Sequence, residues 1–141
     1  MVAGALRVLI VDDNAEVRVM LSRMLSRYSD LDVMGTVQSG EEACTAAAAD
    51  PPDVVLMDVR MAGMGGIEAA RWLKVNVPSA RIVGMSADDE GPTASAMREA
   101  GAVEFVPKTA SVDQLIHALK ATAPADSDSS RAEARPGSDA A

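Results

Sequence analysis

Reactive polar residues stand where four apolar runs stop. Val8-Leu9-Ile10-Val11 runs into Asp12 and Asp13, and Val54-Val55-Leu56-Met57 runs into Asp58. Ile82-Val83-Gly84-Met85 meets Ser86, and the run from Val103 to Pro107 meets Lys108. In a parallel α/β sheet, ligands bind outside the carboxyl ends of the strands. Placement at strand ends would gather three carboxylates, a hydroxyl and an ammonium at one edge. Crowded carboxylates stay ionised only beside a compensating cation. Lys108 supplies one positive charge, and an all-oxygen donor set favours Mg²⁺. The chemistry this suits is phosphoryl transfer: a metal and a lysine neutralise phosphoryl oxygens while a carboxylate attacks.

The elements that would hold these residues follow from periodicity. Leu6–Val11 predicts a buried first strand. Apolar residues from Val17 through Met20, Leu21, Met24, Leu25 and Tyr28 recur at helical spacing, predicting a helix over Asn14–Tyr28. Asp32–Val37 reads as a second strand, and Gly40 opens an alanine-rich helix that stops at Asp50-Pro51-Pro52. Strands over Asp53–Met57, Arg81–Met85 and Val103–Val106 alternate with helices over Ile67–Asn76 and Pro92–Ala100. Gly101 suits a left-handed cap. Ser111 with Gln114 spells a capping box for the last helix, whose core side would be Val112, Leu115, Ile116 and Leu119. Five strands alternating with five helices predict an α/β fold, a parallel sheet covered on both faces.

The chain has 141 residues, one domain by size, with a net charge of −8. That charge argues against sequence-independent nucleic-acid binding and against anionic membranes. Tyr28, Trp72 and Phe105 are its aromatic residues, so aliphatic side chains and nine methionines must build the core. Cys44 has no cysteine to pair with and reads as a small buried helix residue. His117 falls among exposed positions of the last helix, and Trp72 beside the apolar stripe of the third. No signal peptide or transmembrane stretch is visible, and a cytoplasmic location is expected. The expected domain covers residues 1–122. Residues 123–141, rich in Ala, Ser, Asp and Pro, read as a disordered C-terminal tail.

Taken together and in order, the segments VLIVDDN at Val8–Asn14, VVLMDVRM at Val54–Met61, Ser86-Ala87 and Phe105-Val106-Pro107-Lys108 resemble the receiver domain of two-component response regulators. MDVRMAGMGGIEA from Met57 to Ala69 looks like the NarL/LuxR-type branch. The resemblance covers about Leu6 to Leu119.

It implies a doubly wound, five-stranded, flavodoxin-like receiver fold and an aspartyl-phosphate switch. Asp58 would be the phosphoacceptor, taking its phosphoryl group from a histidine kinase or a histidine phosphotransfer protein. Asp13, Asp58 and the backbone carbonyl of Arg60 would coordinate Mg²⁺, and Asp12 would act through water. Lys108 and Ser86 would contact phosphoryl oxygens, as would the backbone N–H groups of Val59 and Ala87. Moving Ser86 inward would let Phe105 rotate and reshape the face made by helix 4, strand 5 and helix 5, where downstream proteins dock. Such a protein catalyses only its own phosphorylation and dephosphorylation and is not otherwise an enzyme. A phosphorylation-dependent dimer is compatible with it.

Some positions depart from the family pattern. Ala62 stands where proline is usual and Gly65 where aspartate is frequent, implying a more mobile loop. Thr109 replaces a common proline after Lys108, which leaves the isomer of that bond open. Arg60 and Asp88 are placed to form an ion pair over the site. No helix-turn-helix segment follows, so we expect a stand-alone receiver without direct DNA binding, working through protein partners or phosphorelay. One alternative is a NarL/LuxR-type receiver without a DNA-binding half that heterodimerises with, or titrates, a full-length relative. A phosphohydrolase acting on small molecules is disfavoured, because Arg60 stands where such enzymes carry a second aspartate as general acid.

Overall fold

A strand covered on both faces has no reason to alternate apolar with polar residues. Val8 to Val11 and Val54 to Met57 are accordingly all buried. In the computed structural model, which describes residues 4–61, 63–86 and 91–121, the elements run in strict alternation. They are β1 (Leu6–Val11), α1 (Ala15–Leu25), β2 (Leu31–Val37), α2 (Gly40–Ala49), β3 (Val54–Asp58), α3 (Gly66–Asn76), β4 (Arg81–Ser86), α4 (Gly91–Ala100), β5 (Glu104–Pro107) and α5 (Val112–Ala121). All pairings are parallel and the strand order is β2-β1-β3-β4-β5. This is the doubly wound fold expected from the sequence. The winding reverses between β1 and β3, and the crevice outside the carboxyl ends of those strands is where this architecture binds ligands.

Successive residues of a strand point to opposite faces, which divides the core in two. Leu9, Val11, Val55, Met57 and Ile82 pack against Ala43 and Ala47 of α2, Ala69, Ala70 and Leu73 of α3, and Met97 of α4. Val8, Ile10, Val54, Leu56, Val83 and Met85 pack against Leu21 and Leu25 of α1 and Leu115, Ile116 and Leu119 of α5. Burying each large aliphatic side chain contributes about 1.5–3 kcal/mol, so both faces of the sheet hold helices firmly. Cys44 is buried, His117 is exposed, and Trp72 lies exposed on α3, as the sequence suggested.

Helix ends follow local chemistry. Asn14 Oδ1 accepts the Val17 N–H at 3.1 Å and starts α1. Ser111 and Gln114 form the reciprocal capping box, with Gln114 N–H on Ser111 Oγ at 3.1 Å and Ser111 N–H on Gln114 Oε1 at 2.8 Å. Gly101, at φ +125°, ends α4. Its N–H reaches the Arg98 carbonyl and the Ala102 N–H reaches that of Met97, the Schellman pattern.

Some boundaries differ from expectation. α1 stops at Leu25 rather than Tyr28, because Arg27 and Tyr28 donate to carbonyls three residues back and the chain tightens. Tyr28 still packs on the second core layer. β3 and β4 each run one residue past their apolar runs, onto Asp58 and Ser86, since ladder bonding involves backbone and is indifferent to polarity. β5 begins at Glu104. No described peptide bond is cis, so Lys108–Thr109 is trans.

Candidate phosphoacceptor site

Each functional side chain leaves a strand end. Asp12 follows β1, and its N–H is tied to the Val37 carbonyl of β2 at 3.1 Å. Its side chain is wholly buried. Oδ1 accepts the Asn14 N–H at 2.9 Å, and the Asp12 carbonyl accepts Arg18 Nη1 at 2.8 Å. Asp13 turns out to solvent. Asp58 ends β3, buried, with Oδ1 accepting the Arg60 N–H at 3.2 Å. Lys108 is brought in by its own N–H, which donates to the Ser86 carbonyl at 2.7 Å.

The sequence placed these groups at one edge, and the structure brings the charged ones into contact. Carboxylate oxygens of Asp12, Asp13 and Asp58 lie within 4.8 Å of one another. Lys108 Nζ stands 3.1 Å from Asp12 Oδ2 and 3.5 Å from Asp58 Oδ2. The Asp12 contact is ionic rather than directional: among the described residues Oδ2 has no hydrogen-bond partner. Burial, and next the Asp12 charge, push the Asp58 carboxyl up, partly offset by Lys108 and the Arg60 N–H. Burial pulls Lys108 down, but Asp12 and Asp58 outweigh it and hold the ammonium above its ordinary value. A buried carboxyl pair with a single lysine is under-neutralised, and a buried oxygen without a hydrogen bond fits a hard cation.

Residues 8–120 match the response regulator receiver domain. The chain belongs to that family. Response regulators are phosphoacceptor signalling proteins of two-component systems. This receiver is 39% identical over 115 residues to the response regulator GacA of Pseudomonas viridiflava, across 82% of this chain and 54% of that protein. It is 33% identical over 117 residues to the response regulator protein VraR of Staphylococcus saprophyticus, across 83% of this chain and 56% of VraR. The chain thus spans about half the length of these curated relatives. Among solved structures, the response regulator domain of Thermotoga maritima CheB matches with a TM-score of 0.78 and 27% identity, over 84% of this chain and 96% of that one. A LuxR-family two-component response regulator from Aurantimonas sp. SI85-9A1 matches with a TM-score of 0.79 and 31% identity, over 83% and 84% of the two chains.

Within this receiver the remaining expected site residues fall unevenly. Ser86 is fully buried at the end of β4, beside Met85, the ladder partner of Asp58. Phe105 is half-buried on β5, against the core layer that contains Met97. Its ring fills the space a side chain at Gly84 would need, since an added Cβ there would lie 2.9 Å from Phe105 Cδ1. The Val59 N–H donates to the Met85 carbonyl at 2.9 Å, so a phosphoryl oxygen could meet it only after that bond opens. The amide facing the Asp58 carboxylate is that of Arg60. Ala87, Asp88 and Ala62, with the expected Arg60–Asp88 pair and the tail over 123–141, lie outside the described residues.

Sequence reasoning missed the Asp12–Lys108 contact and the anchoring of the Asp12 carbonyl by Arg18. It also missed the crowding at Gly66. A Cβ there would come within 2.5 Å of the Asp58 carbonyl oxygen, so α3 starts hard against the end of β3. The Gly65-Gly66 pair was the available signal.

Proposed function

We propose that this receiver accepts a phosphoryl group on Asp58 from the phosphohistidine of a histidine kinase or histidine phosphotransfer protein. The observation supporting this most is the three-carboxylate cluster with Lys108 Nζ 3.5 Å from the Asp58 carboxylate. Asp58 attacks phosphorus in line as the bond from phosphorus to the donor imidazole breaks, and little other covalent chemistry is required. Asp13, Asp58 and the Arg60 carbonyl would hold Mg²⁺, with Asp12 acting through water. The metal would neutralise charge on the phosphoryl oxygens. Lys108 shifts from the carboxylates to a phosphoryl oxygen, and Ser86 donates its hydroxyl to another. The Ala87 N–H, and the Val59 N–H once its bond to the Met85 carbonyl opens, complete the cradle.

In this reading the inward movement of Ser86 opens room for Phe105, and the face of α4, β5 and α5 changes shape for a downstream protein. A new local charge biases a two-state element. The donor would approach over α1, which starts beside Asp12 at Asn14 and carries exposed Val19 and Met20. The receiver unit is taken as residues 1–122, and a cytoplasmic setting belongs to the same proposal. Among the described residues no helix is long and apolar enough to cross a membrane.

Intact mass after incubation with Mg²⁺ and a small acyl phosphate tests the reading. One phosphoryl adduct is expected on the wild type and none on Asp58→Asn. An adduct that persists on Asp58→Asn would place the acceptor elsewhere. No adduct on a wild type shown to bind Mg²⁺ would remove self-catalysed acceptance from a small donor.

A further inference from the structure

The loop from β3 to α3 carries Arg60, whose carbonyl the proposed site needs, yet it has glycines at 63 and 65. Its two ends are joined: the Gly66 N–H donates to the Val59 carbonyl at 3.0 Å. The far side of the loop lies on the first turn of α2. Glu41 Oε2 accepts the Met64 N–H at 3.3 Å. At Gly40 an added Cβ would lie 2.6 Å from the Met64 carbonyl oxygen, so the two backbones nearly touch. Cys44 Sγ stands 4.0 Å from Met64 Sδ. Gly63, at φ +74°, brings its Cα over the same carboxylate, and a Cβ there would be 3.3 Å from Glu41 Oε2.

We propose that Glu41 is a positioning residue for the phosphoacceptor site, an inference that rests on the receiver chemistry proposed above. Its carboxylate holds the Gly63–Met64 part of the loop, whose ends close at Val59 and Gly66, and would thereby set the Arg60 carbonyl that the proposed site needs. The ordinary role of a first-turn acid is to offset the positive end of the helix dipole. Glu42 occupies the same turn, and its Oε1 accepts the Gln38 N–H, away from the loop. Comparing the two glutamates therefore separates loop positioning from helix stabilisation.

The full chain would be compared as wild type, Glu41→Ala, Glu41→Gln and Glu42→Ala. The Mg²⁺ Kd would be measured by titration calorimetry, and phosphorylation by acyl phosphate at low and at saturating Mg²⁺. Losing one hydrogen bond predicts Mg²⁺ binding about three- to tenfold weaker in Glu41→Ala. The rate should fall at low Mg²⁺ and recover at saturation. Glu41→Gln keeps an accepting oxygen and should bind like the wild type, as should Glu42→Ala. An unchanged Kd in Glu41→Ala overturns the proposal. So does an equal loss in Glu42→Ala, or a Glu41→Gln variant as weak as Glu41→Ala, which would point to net charge. If the Kd pattern holds but no variant takes a phosphoryl group, the positioning role stands and the phosphoacceptor reading fails. If the wild type is phosphorylated and Glu41→Ala binds Mg²⁺ normally, the reverse holds.

Discussion

Lys108 stands nearer to Asp12 than to Asp58, which leaves Asp58, the proposed nucleophile, the less neutralised of two buried carboxylates. Burial, followed by repulsion from Asp12, holds the folded Asp58 pKa above its unfolded value. Between those two values the folded state binds more protons. Stability is therefore full below the unfolded pKa, falls as pH rises through the folded pKa, and stays lower above it. Asp58→Asn removes the charge, so in chelator it should melt above the wild type at neutral pH. The advantage should vanish below about pH 4, the ordinary carboxylate range. Thermal melts across pH check this, and a variant that melts lower at neutral pH would contradict the pKa direction. Asp12, Asp13, Asp58, Ser86 and Lys108 were legible as candidate site residues from the apolar runs before them. Which amide faces Asp58 was not, because that depends on turn geometry after β3 and on the Met85 carbonyl capturing the Val59 N–H.

At the scale of elements, caps were the most legible features and boundaries the least. The Ser111–Gln114 box and the Gly101 terminator rest on contacts within a few residues, so local spelling determines them. The start of α3 depends instead on how the chain folds back against the end of β3. Gly66 is needed because Asp58 and Val59 backbone atoms occupy the space of its side chain. Backbone cannot swing aside as a flexible side chain can, so Gly66→Ala should cost about 1–3 kcal/mol through overpacking. It should also weaken Mg²⁺ binding by displacing the end of β3. Denaturant unfolding with a parallel Mg²⁺ titration reads both effects. Normal stability would mean that α3 can shift freely. A loop loosened by Ala62 and Gly65 was the expectation from sequence. The structure shows its Val59–Gly66 closure and, made across elements, the Glu41–Met64 contact.

For the whole molecule, the proposed metal site would join β1 to β3 across the switch point, so filling it should stabilise the entire fold. A ligand that binds only the native state adds about 2.7 kcal/mol at one hundred times its Kd. Mg²⁺ should therefore raise the wild-type Tm and chelator should reverse the gain, whereas Asp13→Asn should respond weakly. Calorimetric melts over a Mg²⁺ series measure this, and an equal rise in both proteins would place the binding elsewhere. Five strands, their alternation with helices, and the polar residues at the ends of four of them were determined by sequence alone, since period and punctuation are local properties. The division of β1 and β3 into two core layers follows from the same alternation once helices cover both faces. Only the tertiary structure decided the strand order, the sharing of Lys108 between Asp12 and Asp58, and the seating of the β3–α3 loop on α2. Those are distances between segments far apart in the chain. They are settled by how helices of different bulk close on a twisted sheet, which no single segment encodes.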